Sequence, residues 1–281
     1  MIGDVRALLS RHLPDYEVRR IVPFGHGLDN AVYTVNDELV VRYAKAADPG
    51  VTRREVELLA VVRELVTLPV PEVVAADPDA GAIAYRLLPG RPLNEEPTRD
   101  PERLAEPLGR FLTELHAAPA ERVRPLAPLD LYPPPNLLRD AELDYRDVEQ
   151  HVPEDQRPLV EGFLRAPAPP EPKTLRLCHN DLGSEHLLAD AETSVITGVI
   201  DWTDAAVTDP AGDFGLIYRD LGPEVFELVL SHYDHDFDEM DRERAIFYAR
   251  CALIEDLAYG LSTGPRHYAT TALSHLTWTF S

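Results

Sequence analysis

Near residue 100 this chain changes its hydrophobic period, and that change limits the folds open to it. Before it, apolar residues alternate in short β-branched runs: VRRIVPFG, NAVYTVN, DELVVRYAK, EVVAAD and AIAYRLL. Alternation of this kind marks half-buried antiparallel strands. Gly25 and Gly27 join the first two, an Asn36-Asp37 turn the next two, and a turn around Asp79-Gly81 the last pair. Two helices break the series. Val5, Leu8, Leu9 and Leu13 recur at helical spacing before Pro14, and TRREVELLAVVRELV, 52–66, is amphipathic. After residue 100 the spacing turns helical: PERLAEPLGRFLTELHAAP predicts a helix ending at Pro119, and a helical tail follows residue 214. Residues 119–135 and 166–173 are proline-rich and irregular, 174–214 alternate short strands with turns, and an acidic stretch at 234–243 interrupts the tail. The expectation is an α+β chain with two lobes. Residues 1–90 form a strand-rich lobe with its connection, and 91–281 a larger helical lobe.

Charge narrows the partners. Asp and Glu number 49 against 27 Lys and Arg, a net charge of −22, so phosphate backbones are repelled and nucleic acid is excluded. Such a surface favours a cationic ligand, although solubility alone also accounts for it. Two cysteines make neither a disulfide framework nor a four-cysteine zinc cluster. No apolar run reaches the ~18 residues of a membrane span. The opening MIGDVRALLSRHLPDY, with Asp4, Arg6 and Arg11, predicts no leader. A cytoplasmic monomer is expected.

The chemistry concentrates in two motifs. TLRLCHNDLGSEHLL leads a short strand into a loop carrying His179 and Asp181, with His186 at the start of a second strand. SVITGVIDWTDAAVTDPAGDF ends a buried strand and places Asp201 just beyond it. One carboxylate able to accept a hydroxyl proton and a second able to hold Mg²⁺ are what phosphoryl transfer requires. The glycine-containing PFGHGLDN between two strands is placed to lay backbone N–H groups over phosphates.

These residues resemble the aminoglycoside phosphotransferases, which share the protein-kinase-like fold, and the 2″-aminoglycoside and 2′-macrolide branches in particular. The likeness covers nearly the whole chain: glycine loop, strand with a basic residue, helix with a glutamate, LLPG connection, LHAAP helix and both acidic motifs. It implies Asp181 as the catalytic acceptor of the hydroxyl proton, His179 as the loop-orienting histidine and Asp201 as the metal-binding aspartate. It further implies that the span from Gly25 through Gly27 to Asn30 positions the nucleotide, and that Arg86, Leu87, Leu88 and Pro89 read the base. Tyr85 stands at the gatekeeper position, leaving ATP and GTP both open as donors. Two positions depart from the family pattern. His186 stands where most members have an asparagine metal ligand, and Arg42, to be paired with Glu55, stands for the phosphate-pairing lysine, with Lys45 three residues on. Arg and Lys are not equivalent there. Asp220, Glu224, Glu255 and Asp256 lie where this family builds its substrate pocket.

The implied activity is transfer of the γ-phosphoryl group of ATP or GTP, with Mg²⁺, to a hydroxyl of an antibiotic, an aminoglycoside first. A macrolide kinase, a metabolic amino-alcohol or sugar kinase, and a non-catalytic nucleotide-binding protein are the alternatives. Plainer readings stand beside several residues. Asp204 reads as a surface carboxylate, Asp209 and Asp213 as helix caps or backbone acceptors, and Cys178 and Cys251 as small buried hydrophobes.

Overall fold

A computed structural model describes residues 2–26 and 30–281. Helix α1, Ile2–His12, turns Val5, Leu8 and Leu9 inward. Strands β1, Ile21–His26, β2, Asn30–Val35, and β3, Leu39–Ala44, follow, then helix α2, Pro49–Leu65, and strands β4, Val73–Asp77, and β5, Ala82–Arg86. They pair antiparallel throughout, in the order β1-β2-β3-β5-β4. Asn36 and Asp37 both take positive φ, 55° and 58°, as a two-residue hairpin turn matched to strand twist requires. The Asn36 side chain accepts from the Arg19 and Arg20 amides, each at 2.9 Å, and tethers the chain leading into β1.

Alternation then sorts the side chains of β3. Leu39 and Val41 are buried with Val5, Leu8, Leu9, Tyr33 and Ala84 beneath α1, while Val40 and Arg42 look out on the other face. Asp48 caps α2 by accepting from Gly50 N at 2.7 Å and Val51 N at 3.1 Å, with Pro49 fixing the first turn.

Beyond the connection, strand β6, Arg91–Pro92, joins a three-stranded sheet in the order β6-β8-β9, where β8 is Leu187–Asp190 and β9 Val195–Val199. Gly90 has φ 94°, and a Cβ there would stand 2.2 Å from Thr197 Oγ1, so only glycine lets the connection pass this sheet. Strand β7, Arg176–Cys178, pairs with β10, Ala206–Thr208. The helices of this half are α3, Ala105–His116, α4, Ala120–Val123, α5, Pro134–Val148, α6, Arg157–Arg165, α7, Ala211–Ser231, α8, Glu239–Ser262, and α9, Arg266–Thr279. Two local details differ from the sequence reading. The turn before α3, Pro101–Leu104, is 3-10 rather than α, and the proline-rich stretch 119–135 contains the short α4. Pro101 at the first position of the 3-10 turn supplies a φ suited to a helical start, and Pro119 is the N-cap of α4.

One core, with Leu58, Leu59, Phe111, Leu112, Trp202, Phe214 and Phe226 fully buried or nearly so, runs from α2 through α3 to α7 and fastens the strand-rich half to the helical half. A second joins α5, α8 and α9 through Tyr145, Phe247, Leu257 and Leu276. Gly222, with φ 84°, followed by Pro223, kinks α7. The acidic stretch before α8 is its cap: Asp238 and Asp241 exchange backbone hydrogen bonds at 2.8 and 3.0 Å. Among the described residues no helix is long and apolar enough to cross a membrane.

Candidate active site

The loop after β7 is held open by its backbone. His179 N donates to Asp213 Oδ2 at 3.0 Å and Asn180 N to Oδ1 at 2.8 Å, so one buried carboxylate at the start of α7 fixes two successive amides. Asn180 takes φ 66°, which turns the following Asp181 into the cleft. Asp213 is itself held by His116 Nε2–H at 3.1 Å, and Tyr233 donates to His116 Nδ1 at 2.8 Å. The sequence reading of Asp213 as a backbone acceptor thus meets its partners. The histidine of the LHAAP helix reaches the same carboxylate.

His179 is fully buried against Trp202, its ring centroid 4.7 Å away, and its Nε2–H donates to Ile200 O at 2.9 Å. Burial lowers its pKa to about 4, so it is neutral at physiological pH and ties the loop to the end of β9. Asp201 follows directly, at φ 60°. The two acidic loops are therefore coupled through one imidazole.

Asp181, His186 and Asp201 form a row. His186 Nδ1 donates to Asp181 O at 2.7 Å and lies 3.3 Å from Asp181 Oδ2, while its Nε2 lies 3.9 Å from Asp201 Oδ2. Burial raises the Asp181 pKa to about 6, with Glu185 and Asp204 adding and His186 opposing. A carboxyl group titrating there is still a base at neutral pH and a better one than an ordinary aspartate. Burial works to lower the His186 pKa, but Asp181, Asp201 and Glu185 outweigh it and raise it. Burial likewise works to raise that of Asp201, but His186, Arg42 and the Thr203 hydroxyl, at 2.9 Å, hold it ionised.

Arg42, from β3, closes the row at the Asp201 end. Its Nη2 pairs with Glu55, its Nη1 donates to Thr203 Oγ1 at 2.6 Å and lies 3.8 Å from Asp201 Oδ1. Lys45 is exposed beyond the end of β3. Tyr85, opposite Val40, sits close enough to Arg42, Glu55 and Asp201 for all three to affect its titration, and burial raises its pKa strongly. Arg86 is exposed and pairs with Glu72 at 3.1 Å; Leu87 N donates to Glu38 O at 2.9 Å; Leu88 packs over Gly198, where a Cβ would stand 2.7 Å from its Cδ1. Gly25 lies in β1 opposite Val32, and Asn30 opens β2 opposite Ala44; Gly27 falls outside the described residues.

The other flank of Asp181 belongs to Arg219, whose side chain is 7% exposed. Its Nε and Nη2 grip Asp220 at 2.6 and 3.0 Å, its Nη1 pairs with Asp256 at 2.9 Å, and Glu185 lies 3.8 Å from Nη2. Burial raises the Asp256 pKa to about 7 despite Arg219. Glu255 is exposed on α8, its pKa raised by burial and then by Asp144; Glu224 is exposed on α7 beyond the kink. Asp181, His179, His186, Asp201, Arg42, Glu55 and Tyr85 thus converge, Asp220 and Asp256 gather around Arg219, and Glu224 stands apart. Sequence reasoning passed over Thr203, Glu185 and Arg219. The only signal for Arg219 was a cation beside an aspartate in an apolar run.

For a divalent ion, Asp201 offers an ionised carboxylate and His186 an Nε2 whose ring already has its Nδ1 proton on a backbone carbonyl. Mg²⁺ takes one or two protein carboxylates plus phosphate and water oxygens. Asp201 fits that pattern, with imidazole the less usual neighbour. A metal at His186 competes with a proton for Nε2, which makes its binding pH-dependent.

Known proteins share this fold. Residues 20–247 match the model of the phosphotransferase enzyme family. The aminoglycoside 3'-phosphotransferase of Streptomyces fradiae is 29% identical over 197 residues, 64% of this chain and 71% of that protein. Another curated relative is 41% identical over 58 residues only, 21% of this chain and 19% of its own length. Among solved structures, the GDP and kanamycin complex of APH(2")-IIia aligns with a TM-score of 0.73 at 23% identity, over 98% of each chain. The apoenzyme of macrolide 2'-phosphotransferase MphH from Brachybacterium faecium aligns with a TM-score of 0.67 at 25% identity, again over 98% of each chain. The bilobal kinase-like fold read from the sequence is the fold of these neighbours.

Proposed function

This chain belongs to the phosphotransferase enzyme family, and we propose that it transfers the γ-phosphoryl group of a nucleoside triphosphate to a hydroxyl of a small cationic substrate, an aminoglycoside first. The observation that carries the reading is the row Asp181–His186–Asp201, which sets a base with a pKa of about 6 beside an ionised carboxylate. Asp181 orients the acceptor hydroxyl and takes its proton as the new O–P bond forms and the nucleoside diphosphate leaves. Asp201 and His186 Nε2 would hold Mg²⁺, which when bound would supply neutralising charge to the phosphates. Arg42, kept in place by Glu55 and Thr203, faces the phosphates. Tyr85 and the backbone of Arg86, Leu87 and Leu88 receive the base, and Gly25, Gly27 and Asn30 belong to the segment that positions the nucleotide. The two lobes divide near residue 90, and the enzyme works as a cytoplasmic monomer.

Charge supports the substrate class. The net charge is −22, and the flank of Asp181 away from Arg42 carries Glu185 and Asp256 beside an Arg219 already matched by Asp220. Such an excess of carboxylates favours ammonium groups. A macrolide acceptor is the second reading, favoured by exposed Leu129 and Leu131 either side of Asp130, whose carboxylate accepts from Asn180 Nδ2 at 3.4 Å. Competition decides between them. With Mg²⁺ and either ATP or GTP, an aminoglycoside and a macrolide offered together at equal concentration should yield mainly phosphorylated aminoglycoside. Preference for the macrolide reverses the assignment, and consumption of nucleotide with neither acceptor modified rejects both.

A further inference from the structure

Asp213 is not the only carboxylate on α7 that holds the catalytic loop. Seven residues on, two helical turns along the same face, Asp220 accepts from Ser184 N through Oδ2 at 2.7 Å. Asp213 takes the amides of His179 and Asn180, just before Asp181, and Asp220 takes the amide three residues after it. The turn carrying Asp181 therefore hangs from two points of one helix, both before the Gly222 kink. The two anchors are secured differently. Asp213 is backed by the neutral pair His116 and Tyr233, whereas Asp220 is gripped through both oxygens by the planar fork of Arg219. Arg219 is in turn oriented from α8 by Asp256 and reaches Glu185 in the loop itself. At 4% exposure, with both carboxylate oxygens engaged, Asp220 has little surface left for a substrate.

We infer that Asp220 and Arg219 are positioning residues: Arg219 fixes the Asp220 carboxylate, which holds Ser184 N–H and so sets where Asp181 meets the acceptor hydroxyl. The inference rests on the reading of Asp181 as proton acceptor. It separates acceptor geometry from charge, because an asparagine keeps one oxygen for Ser184 but turns an amide donor toward the Arg219 Nε–H, while an alanine keeps neither. The sequence placed Asp220 among substrate contacts, and that role makes a different demand: loss of charge alone should weaken binding of a cation.

The test uses the full chain with Asp220→Asn, Asp220→Ala and Arg219→Lys. Positioning predicts that Asp220→Ala lowers kcat on the order of 100-fold, the cost of a displaced reacting group, with both KM values close to wild type. Asp220→Asn should retain most of kcat although both variants melt earlier, and Arg219→Lys, which cannot grip both oxygens, should fall between them with KM unchanged. Amide exchange of the segment 179–188 gives a second readout: Ser184 N–H should lose protection in Asp220→Ala and keep it in Asp220→Asn. A raised KM for a cationic acceptor at unchanged kcat in both aspartate variants makes Asp220 a substrate contact and overturns the proposal, as does Ser184 protection unaltered in Asp220→Ala. If Asp220→Ala does not fold, an Arg219→Lys variant that changes only KM overturns it equally. Absence of transfer to any acceptor by the wild type defeats the kinase reading instead, and the exchange measurement still decides the loop anchor.

Discussion

Two buried arginines flank Asp181, and they differ in how their charge is matched. Arg42, 12% exposed, has Glu55 as its close partner and Asp201 at 3.8 Å, so its side keeps one ionised carboxylate only loosely engaged by the guanidinium. Arg219 is surrounded by Asp220, Asp256 and Glu185, so the opposite side carries two more negative charges than positive when all are ionised. The burden of that excess appears on Asp256, which burial moves to about 7 despite Arg219. The same polypeptide thus builds a near-balanced cluster around Arg42, where the proposed phosphates and metal ion would bring their own charges, and an acidic one around Arg219, where the proposed cationic acceptor would lie. The difference is a division of labour that residue counts alone hide.

Removing what the two clusters share should have the largest effect. Asp181→Asn is expected to lower kcat about 10²–10⁴-fold, the usual contribution of a general base, in steady-state assays with any acceptor. It should also stabilise the fold at high pH. Because the native pKa of Asp181 lies above its unfolded value, its proton contributes stability below the unfolded pKa, and that contribution is lost as pH rises through about 6. The thermal midpoint of Asp181→Asn should therefore exceed wild type in alkaline buffer, and the gap should close in acid.

Next comes the balance itself. Glu55→Ala strands Arg42 with Thr203 and a distant Asp201, and is expected to cost about 3–5 kcal/mol, as for a buried pair deprived of one member. Denaturant unfolding measures this. Glu185→Gln, which lifts one of three carboxylates from around Arg219, should leave stability nearly untouched and raise KM for an aminoglycoside up to about fivefold, the scale of a partly exposed ion pair. Equal loss of stability in both would erase the contrast between the clusters. The smallest effect expected is on pH dependence: KM for a cationic acceptor should fall as pH rises through about 7, where Asp256 becomes charged, and Asp256→Asn should flatten that profile.

How much of this was legible depended on range. The Asn36-Asp37 turn follows from residue types at short spacing and the pairing of Arg42 with Glu55 from the family resemblance, and both are found. Asp213 was readable as a backbone acceptor beside a helix start. Its tie to His116, 97 residues earlier, was not, because α3 and α7 meet only through packing of the core. Arg219 was hidden for the same reason. Its partners Glu185 and Asp256 come from a loop and from α8, and only tertiary packing brings them round one guanidinium. Local pattern and family resemblance therefore disclosed the Arg42 cluster more fully than the Arg219 cluster.

Phosphoryl transfer by wild type and Asp181→Ala, each given Mg²⁺, ATP or GTP, and a panel of aminoglycosides, with the phosphorylated product counted by mass spectrometry, tests the central claim most directly. A phosphate adduct formed by the wild type and reduced at least about 100-fold in Asp181→Ala is the predicted result. Transfer that persists undiminished without the Asp181 carboxylate would contradict it.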